Sequence, residues 1–246
     1  MHPPLVITMG DPAGIGPEIV VKALQQRPEL LSRVVVAGDV PTLARALALT
    51  GAGGDITLVP IPSLDTRERV EPFSLLVVQA CERLGPLPFG RVQVAAGRAA
   101  ADCIRWAAKA ALEGRAAAVV TAPVHKEALA AAGIVHPGHT EFLQALAAEH
   151  VGQPIAQLPV RMMLSCPGLR TVLVSIHVSL RDALAAVTSD QILQTLQITA
   201  AHFRRIGMPL ARIAVAGLNP HAGEGGLFGR EEIDIIAPAV IQARAS

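Results

Sequence analysis

The chain has 246 residues, of which 51% are hydrophobic and 2% aromatic, and its formal net charge is +1. This length and apolar content suit one large or two small folded domains and exclude a disordered chain. A near-neutral charge with so few aromatic residues argues against nucleic-acid binding, and no apolar run approaches the roughly 18 residues of a membrane span. Three widely spaced cysteines, Cys81, Cys103 and Cys166, favour a reducing compartment, so a cytoplasmic protein is expected.

The chain begins with a predicted strand at residues 5–9, followed by the glycine-rich stretch MGDPAGIGPE and a helix that starts near Glu18. A helix N-terminus after a strand is a geometry that binds anions. However, the third glycine of the G-x-G-x-x-G fingerprint and the Walker lysine are both absent from this stretch. The residues therefore leave two interpretations open, a ligand-binding loop and a plain turn.

Short β-branched runs alternate with alanine-rich helical stretches along the rest of the chain. This alternation predicts an α/β fold with a mainly parallel sheet, and two adjacent runs add some antiparallel content. Strands are predicted at 34–38, 56–61, 75–79, 117–123, 161–166, 170–178 and 212–220, and helices at 41–49, 94–113, 140–152 and 189–207.

The first loop with candidate chemistry contains the sequence HPGHT, residues 136–140. Proline and glycine between the two histidines exclude a zinc motif on one helix face. His139 and Thr140 stand where a helix is predicted to begin, with Thr140 as its N-cap. An imidazole, a hydroxyl and free backbone N–H groups at that point would hold a phosphate or a carboxylate. Alternatively, Thr140 only caps the helix and His139 is a solvated loop residue.

Two further histidines are candidate metal ligands. His177 closes the predicted strand 170–178, and His221 lies in the glycine-rich loop 219–232 that follows another predicted strand. Ligands of open α/β sheets gather at the carboxyl ends of strands, although a histidine such as His177 can also be a core residue. A catalytic metal usually takes about three protein ligands, and His125 and His139 are the internal candidates for the third.

Two roles are predicted for acidic residues in and after that loop. Glu231 and Glu232 are interpreted as favourable charges at the start of the next helix. Glu224 is the only obvious carboxylate for an alternative function, a metal hydrolase built on His177 and His221.

Five motifs together give a resemblance that the isolated residues do not. In order, they resemble segments of the 4-hydroxythreonine-4-phosphate dehydrogenase family of the isocitrate/isopropylmalate dehydrogenase-like enzymes: MGDPAGIGPE, TAPVHKE, PGHTEFL, SIHVSL and NPHAGEGGLFGREE. The resemblance implies two α/β/α layered subdomains with an active-site cleft between them, residues 1–123 with 208–246 and residues 124–207. It also implies a homodimer with the active site at the interface.

The same resemblance implies an activity and site residues. The reaction would be NAD- or NADP-dependent oxidation and decarboxylation of 4-phosphooxy-L-threonine to 3-amino-2-oxopropyl phosphate, in pyridoxal phosphate biosynthesis. His139 and Thr140 match substrate contacts, and His177 and His221 match two of three ligands of a divalent metal such as Zn, Mg or Co. A related dehydrogenase for an erythronate-like acid or a dihydrodiol carboxylate, and a catalytically silent binding or dimerisation module, are the alternatives.

Members of the family continue beyond the point that corresponds to residue 246. The resemblance therefore implies a C-terminally truncated chain. The third metal histidine, the catalytic base, the basic substrate contacts and much of the cofactor site would lie beyond that residue.

Overall fold

The computed structural model describes residues 2–66, 71–136 and 138–245, which form two compact units, Met1–Leu158 and Pro159–Ser246. The first unit is built around a five-stranded parallel sheet with the strand order β3-β4-β2-β1-β5. Its strands are β1 Leu5–Thr8, β2 Val34–Gly38, β3 Thr57–Pro60, β4 Ser74–Gln79 and β5 Ala118–Thr121.

The central strands β1, β2 and β4 are buried or half-buried on both faces, as their apolar runs require. Val34 and Val36 of β2 belong to one hydrophobic cluster, whereas Val35 and Ala37 belong to a second one. Successive side chains of a strand point to opposite faces, so these two clusters cover the two sides of the sheet. The helices of this unit are α1 Gly16–Gln26, α2 Val40–Thr50, α3 Val94–Leu112, α4 Lys126–Ala131 and α5 His139–Val151.

The second unit has a two-stranded antiparallel sheet formed by β6 Met163–Cys166 and β7 Leu169–Val172. A small core of Ile192, Ile236 and Ala239 lies among its helices. These helices are α6 Leu180–Ala185, α7 Ser189–Arg205 and α8 Ala237–Ala245, with a single π-helical turn at Glu232–Ile236 before α8.

The structure confirms the α/β class, the mainly parallel sheet and the added antiparallel pair. Two predicted strands differ from it. β7 ends at Val172 rather than at residue 178, and residues 212–217 form no strand. A strand needs a hydrogen-bonded neighbour, and the described part of the chain offers none to the segment 212–217.

The compact units divide at a different place from the predicted domains. Residues 124–158 belong to the first unit, because Leu129 of α4 and Phe142 of α5 pack with Ile104 of α3 in one hydrophobic cluster. In the ranges 2–66, 71–136 and 138–245, no helix has the length and apolarity that crossing a membrane would need.

Gly97 of α3 allows α4 to approach closely, since a methyl group at that position would overlap the carbonyl of Ala128. Alanine is favoured over glycine in a helix by roughly 0.5–1 kcal/mol. We expect the overlap to exceed this gain, so that Gly97→Ala lowers the free energy of unfolding by about 1–3 kcal/mol. Urea denaturation followed by circular dichroism measures it. The control is Gly85→Ala, where no neighbour lies within 4 Å; equal denaturation midpoints for the two variants would contradict the prediction.

Candidate functional site

The turn after β1 is attached to the loop that follows β5. The N–H of Asp11 donates to the carbonyl of Pro123 at 2.9 Å, and Gly10 has a positive φ of 74°. A methyl group at Gly10 would overlap the same carbonyl, and one at Gly16 would overlap the carbonyl of Met9. Close backbone packing therefore accounts for these two glycines, and no ligand is needed to explain them.

Helix α5 begins one residue earlier than the sequence predicts. Gly138 is the N-cap residue, and its carbonyl accepts from the N–H of Phe142 at 3.2 Å. Thr140 is thus the second helical residue, and the prediction that it caps the helix is wrong. The extended backbone of Gly138 lets the chain enter the helix at His139, and no side chain caps the first turn. The half-buried Thr140 hydroxyl is not used for capping, and N–H groups of that turn point out of the helix end.

His139 is half-buried and carries a buried Nε2 atom that has no hydrogen-bond partner among the described residues. Burial lowers the pKa of His139 below its ordinary value, so the imidazole is neutral at neutral pH. An unpaired buried polar atom is costly, typically about 1–3 kcal/mol. The structure therefore excludes the alternative in which His139 is a solvated loop residue.

Phe142 anchors the first turn of α5. Its ring is buried and stacks on His136 with 5.1 Å between ring centroids. The guanidinium of Arg105 lies 5.4 Å from the centroid of the same ring and pairs with Asp102 at 2.8 Å. The start of α5 is thus held in place from α3, and a cation lies close to it.

His177 is exposed and lies five residues after the end of β7. The interpretation of His177 as a core histidine is therefore wrong. Its backbone is left-handed, with a φ of 57°, a conformation that non-glycine residues rarely adopt.

His221 lies in a left-handed turn. The φ values of residues 221–225 are 52°, 50°, 80°, 44° and 67°. Five non-glycine residues of the described chain have a positive φ, and His177 and His221 are two of them. Such strained positions cluster at functional sites, because the surrounding structure must compensate for their cost.

The loop that carries His221 is organised by a carboxylate from the following helical turn. Glu232 accepts hydrogen bonds from the N–H groups of Leu218 and Asn219, both at 2.7 Å, and from the Asn219 side chain at 2.9 Å. The Asn219 amide is the largest cause that lowers the pKa of Glu232, from 4.5 to about 2. Glu231 also accepts from that amide, at 2.6 Å.

The role of these two glutamates was not found by sequence reasoning, which interpreted them as helix N-terminal charges. The sequence does carry a signal for this role, because two carboxylates, Glu231 and Glu232, follow Asn219 of the glycine-rich loop by about a dozen residues.

Within the described ranges, no group of three or more His, Cys, Asp or Glu side chains is placed to hold a metal ion. The predicted third ligand is not found there.

The comparison with known families decides the relationship. Residues 29–246 match the model of the family described as pyridoxal phosphate biosynthetic protein PdxA. The chain belongs to the PdxA family. The resemblance inferred from the five motifs is thereby confirmed, and the chain is a PdxA-type dehydrogenase.

Individual relatives of this PdxA-family chain carry two different substrate names. It is 46% identical to a 4-hydroxythreonine-4-phosphate dehydrogenase of Beijerinckia indica, in a match that covers 98% of this chain and 68% of the relative. It is 39% identical to a D-threonate 4-phosphate dehydrogenase of Salmonella typhimurium, over 98% of this chain and 71% of the relative.

Solved structures agree with the family. A 4-hydroxythreonine-4-phosphate dehydrogenase from Klebsiella pneumoniae has a TM-score of 0.87 at 42% identity, covering 100% of this chain and 71% of that one. A terephthalate 1,2-cis-dihydrodiol dehydrogenase from Burkholderia xenovorans has a TM-score of 0.63 at 29% identity, with 100% and 71% covered. In these four matches, this chain spans 68–71% of the relatives' own length.

Ionised Glu232 is expected to stabilise the His221 loop in a pH-dependent way. Because its folded pKa lies below the unfolded value, the contribution is fully present above about pH 4.5 and is lost as the pH falls towards 2. The free energy of unfolding of Glu232→Gln should therefore be lower than that of the wild type at pH 6, and the gap should narrow between pH 5 and 2. Urea denaturation across this range measures the gap. The control is Glu82→Gln at an exposed position; a constant gap would contradict the account.

The left-handed backbone of His221 predicts that a glycine variant is more stable than an alanine variant at this position, which is the reverse of the order inside a helix. Glycine adopts this conformation without the cost of about 1–2 kcal/mol that other residues meet, so His221→Gly should be more stable than His221→Ala by about 1 kcal/mol. At His202, inside α7, the order should reverse by a similar amount. Denaturation midpoints of the four variants test this, and the same order at both positions would show that the turn is not left-handed.

Proposed function

We propose that this PdxA-family chain carries out the NAD- or NADP-dependent oxidation and decarboxylation of 4-phosphooxy-L-threonine to 3-amino-2-oxopropyl phosphate, in pyridoxal phosphate biosynthesis. The observation that carries the proposal is the unpaired Nε2 of His139 at the start of α5. It lies in the family motif PGHTEFL of a chain that is 46% identical to a 4-hydroxythreonine-4-phosphate dehydrogenase.

The start of α5 offers the groups that bind an anionic substrate. The Nε2–H of His139 would donate to the anion, Thr140 would contribute its hydroxyl, and the N–H groups of the first turn would face a phosphate or carboxylate. The partial positive charge of the helix N-terminus adds to this attraction. A neutral imidazole suits the role, because it can hold the substrate in place without adding a proton to it.

His177 and His221 are the proposed ligands of a divalent metal, Zn, Mg or Co. Both imidazoles are exposed, and both are held in a strained backbone that the loop must maintain. Imidazole nitrogen suits Zn and Co better than Mg. When bound, such a cation would polarise the substrate hydroxyl and stabilise the negative charge left by decarboxylation. Two histidines fall short of the about three protein ligands that a catalytic metal usually takes.

The dehydrogenase class implies a nicotinamide that accepts the hydride, and the choice between NAD and NADP is part of the test below. We further propose a cytoplasmic homodimer, as the family resemblance implies. The state of the cysteines is consistent with a reducing compartment, since Cys81, Cys103 and Cys166 are all free.

A second substrate is favoured by a specific observation. The relative from Salmonella typhimurium, at 39% identity, is named a D-threonate 4-phosphate dehydrogenase. Both substrates combine a phosphate with a secondary alcohol next to a carboxylate-bearing carbon, and the anion site at α5 does not distinguish them. The dihydrodiol carboxylate of the 29% identical structural relative is a weaker candidate.

The formation of reduced nicotinamide tests the function. We expect turnover with 4-phosphooxy-L-threonine in the presence of a divalent cation, slower turnover with D-threonate 4-phosphate, and none after exhaustive chelation. His139→Asn should raise KM about ten- to a hundredfold, since a hydrogen bond to a charged group is worth about 1.5–3 kcal/mol.

The control variant is His202→Asn, which changes an exposed histidine on α7. Turnover that survives chelation would contradict the metal role. A KM unchanged in His139→Asn would contradict the substrate contact, and a faster reaction with D-threonate 4-phosphate would move the second substrate to first place.

A further inference from the structure

Two of the three cysteines meet inside the first unit. Cys81 lies in the irregular segment that follows β4, and Cys103 lies on α3. Cys81 packs against the hydrophobic cluster that contains Cys103, and the two thiols form a hydrogen bond with each other. The fold therefore brings together two sulfur atoms that the sequence separates widely.

The two thiols differ in their access to solvent. Cys81 is half-buried, whereas the side chain of Cys103 has no exposed surface. The hydrogen bond with Cys81 and burial raise the pKa of Cys103 well above its ordinary value, so this thiol keeps its proton at neutral pH. An oxidant that arrives from solution therefore reaches Cys81 first, because access and thiolate character decide which cysteine reacts.

Polar contacts hold Cys81 in its place. The side-chain amide of Gln79 donates to the carbonyl of Cys81 at 3.0 Å and lies 3.9 Å from its sulfur. The same amide donates to the buried carboxyl group of Asp39 at 2.9 Å, and that group also accepts from the N–H of Leu84 at 3.3 Å. Both ends of the segment 79–84 are thus attached to one buried side chain, which keeps Cys81 beside the core.

We propose that Cys81 and Cys103 form an oxidation site, in which a peroxide converts the two thiols into a reversible disulfide. The two sulfurs are already neighbours, and a disulfide needs them to approach to about 2.05 Å. Because Cys81 belongs to no helix or strand, it can supply this shift without breaking the backbone hydrogen bonds of α3.

The reaction has two steps, with hydrogen peroxide as the oxidant. The Cys81 sulfur attacks one peroxide oxygen, the O–O bond breaks, and a sulfenic acid and a water molecule are formed. The Cys103 sulfur then attacks the Cys81 sulfur, the S–O bond breaks, and the hydroxyl group leaves with the Cys103 proton as a second water. In total, two electrons pass from the two sulfurs to the two peroxide oxygens.

The neighbouring thiol makes the oxidation of Cys81 reversible. A sulfenic acid without a nearby thiol is open to further oxidation to a sulfinic acid, which is irreversible. Cys103 instead converts the first product into a disulfide, which a dithiol can reduce. Transient disulfides of this kind are the ones that occur in reducing compartments. The proposal depends neither on the substrate nor on the metal.

The test uses the 246-residue chain with Cys166→Ser, which removes the exposed third thiol in the second unit. Hydrogen peroxide should lower the number of free thiols from two to none without forming covalent dimers. Mass spectrometry after digestion with trypsin, without reduction, should find peptides 70–83 and 99–105 linked, with a mass two hydrogen atoms below their sum. Dithiothreitol should then restore both thiols.

Two further variants in the same background check the role of each thiol. With Cys103→Ala, peroxide should leave Cys81 as a sulfenic acid that dimedone traps, and later as a sulfinic acid that dithiothreitol does not reduce. With Cys81→Ser, the thiol of Cys103 should remain reduced under the same treatment, because the core shields it from the oxidant. Circular dichroism of each variant verifies the fold.

Conversion of Cys81 to sulfinic acid while Cys103 stays reduced in the Cys166→Ser chain would overturn the proposal. So would survival of both thiols in a peroxide treatment that oxidises Cys166 of the wild-type chain. A disulfide between two copies of the chain in place of the internal one would overturn it as well.

Discussion

Burial of a parallel sheet on both faces is the constraint on which the first unit depends. Its central strands β1, β2 and β4 are apolar along most of their length, and charged groups such as Asp39 appear where the strands end. The same constraint requires helices on both sides, and these can pack closely only where side chains are small. This requirement has two local consequences. Gly97, which lacks a side chain, packs against Ala128, and Gly10 packs against Pro123.

The second unit meets the demand for paired backbone groups in a different way. A single carboxylate, that of Glu232, receives two backbone N–H groups and one side-chain amide of the loop that precedes His221. An ionised acceptor makes stronger hydrogen bonds than a neutral one, which suits a loop with five consecutive left-handed residues. Residues 212–217 have no such acceptor among the described residues, and their backbone groups form no hydrogen bond with another described residue.

The sequence predicts those parts of the fold that depend on local pattern. Apolar periodicity gives the strands of the first sheet and the helices α1, α2, α3 and α5 to within a few residues, whereas the short helix α4 is not predicted. The pair β6–β7 follows from two adjacent β-branched runs. Whether residues 212–217 form a strand depends instead on a distant partner, and the division between the units depends on how α4 and α5 pack. Neither can be read from a local pattern.

The candidate site follows the same distinction. The strained position of His177 and His221 and the orphaned nitrogen of His139 depend on tertiary structure, so sequence reasoning reaches the residues but not their state. The family motifs identified these histidines as functional candidates. The acceptor role of Glu232 was missed because acidic residues at a helix start have a simpler and more common explanation.

The position of β1 in the sheet has a consequence for the order of assembly during synthesis. β1 pairs with β2 on one side and with β5 on the other, although β5 lies far along the chain. At about 5–20 residues per second, the ribosome needs several seconds to deliver Ala118–Thr121 after β1 has emerged. Throughout that interval the outer edge of β1 is open to other chains. Although β1 precedes the other strands of this sheet in the chain, it is thus the last of them to gain a second neighbour.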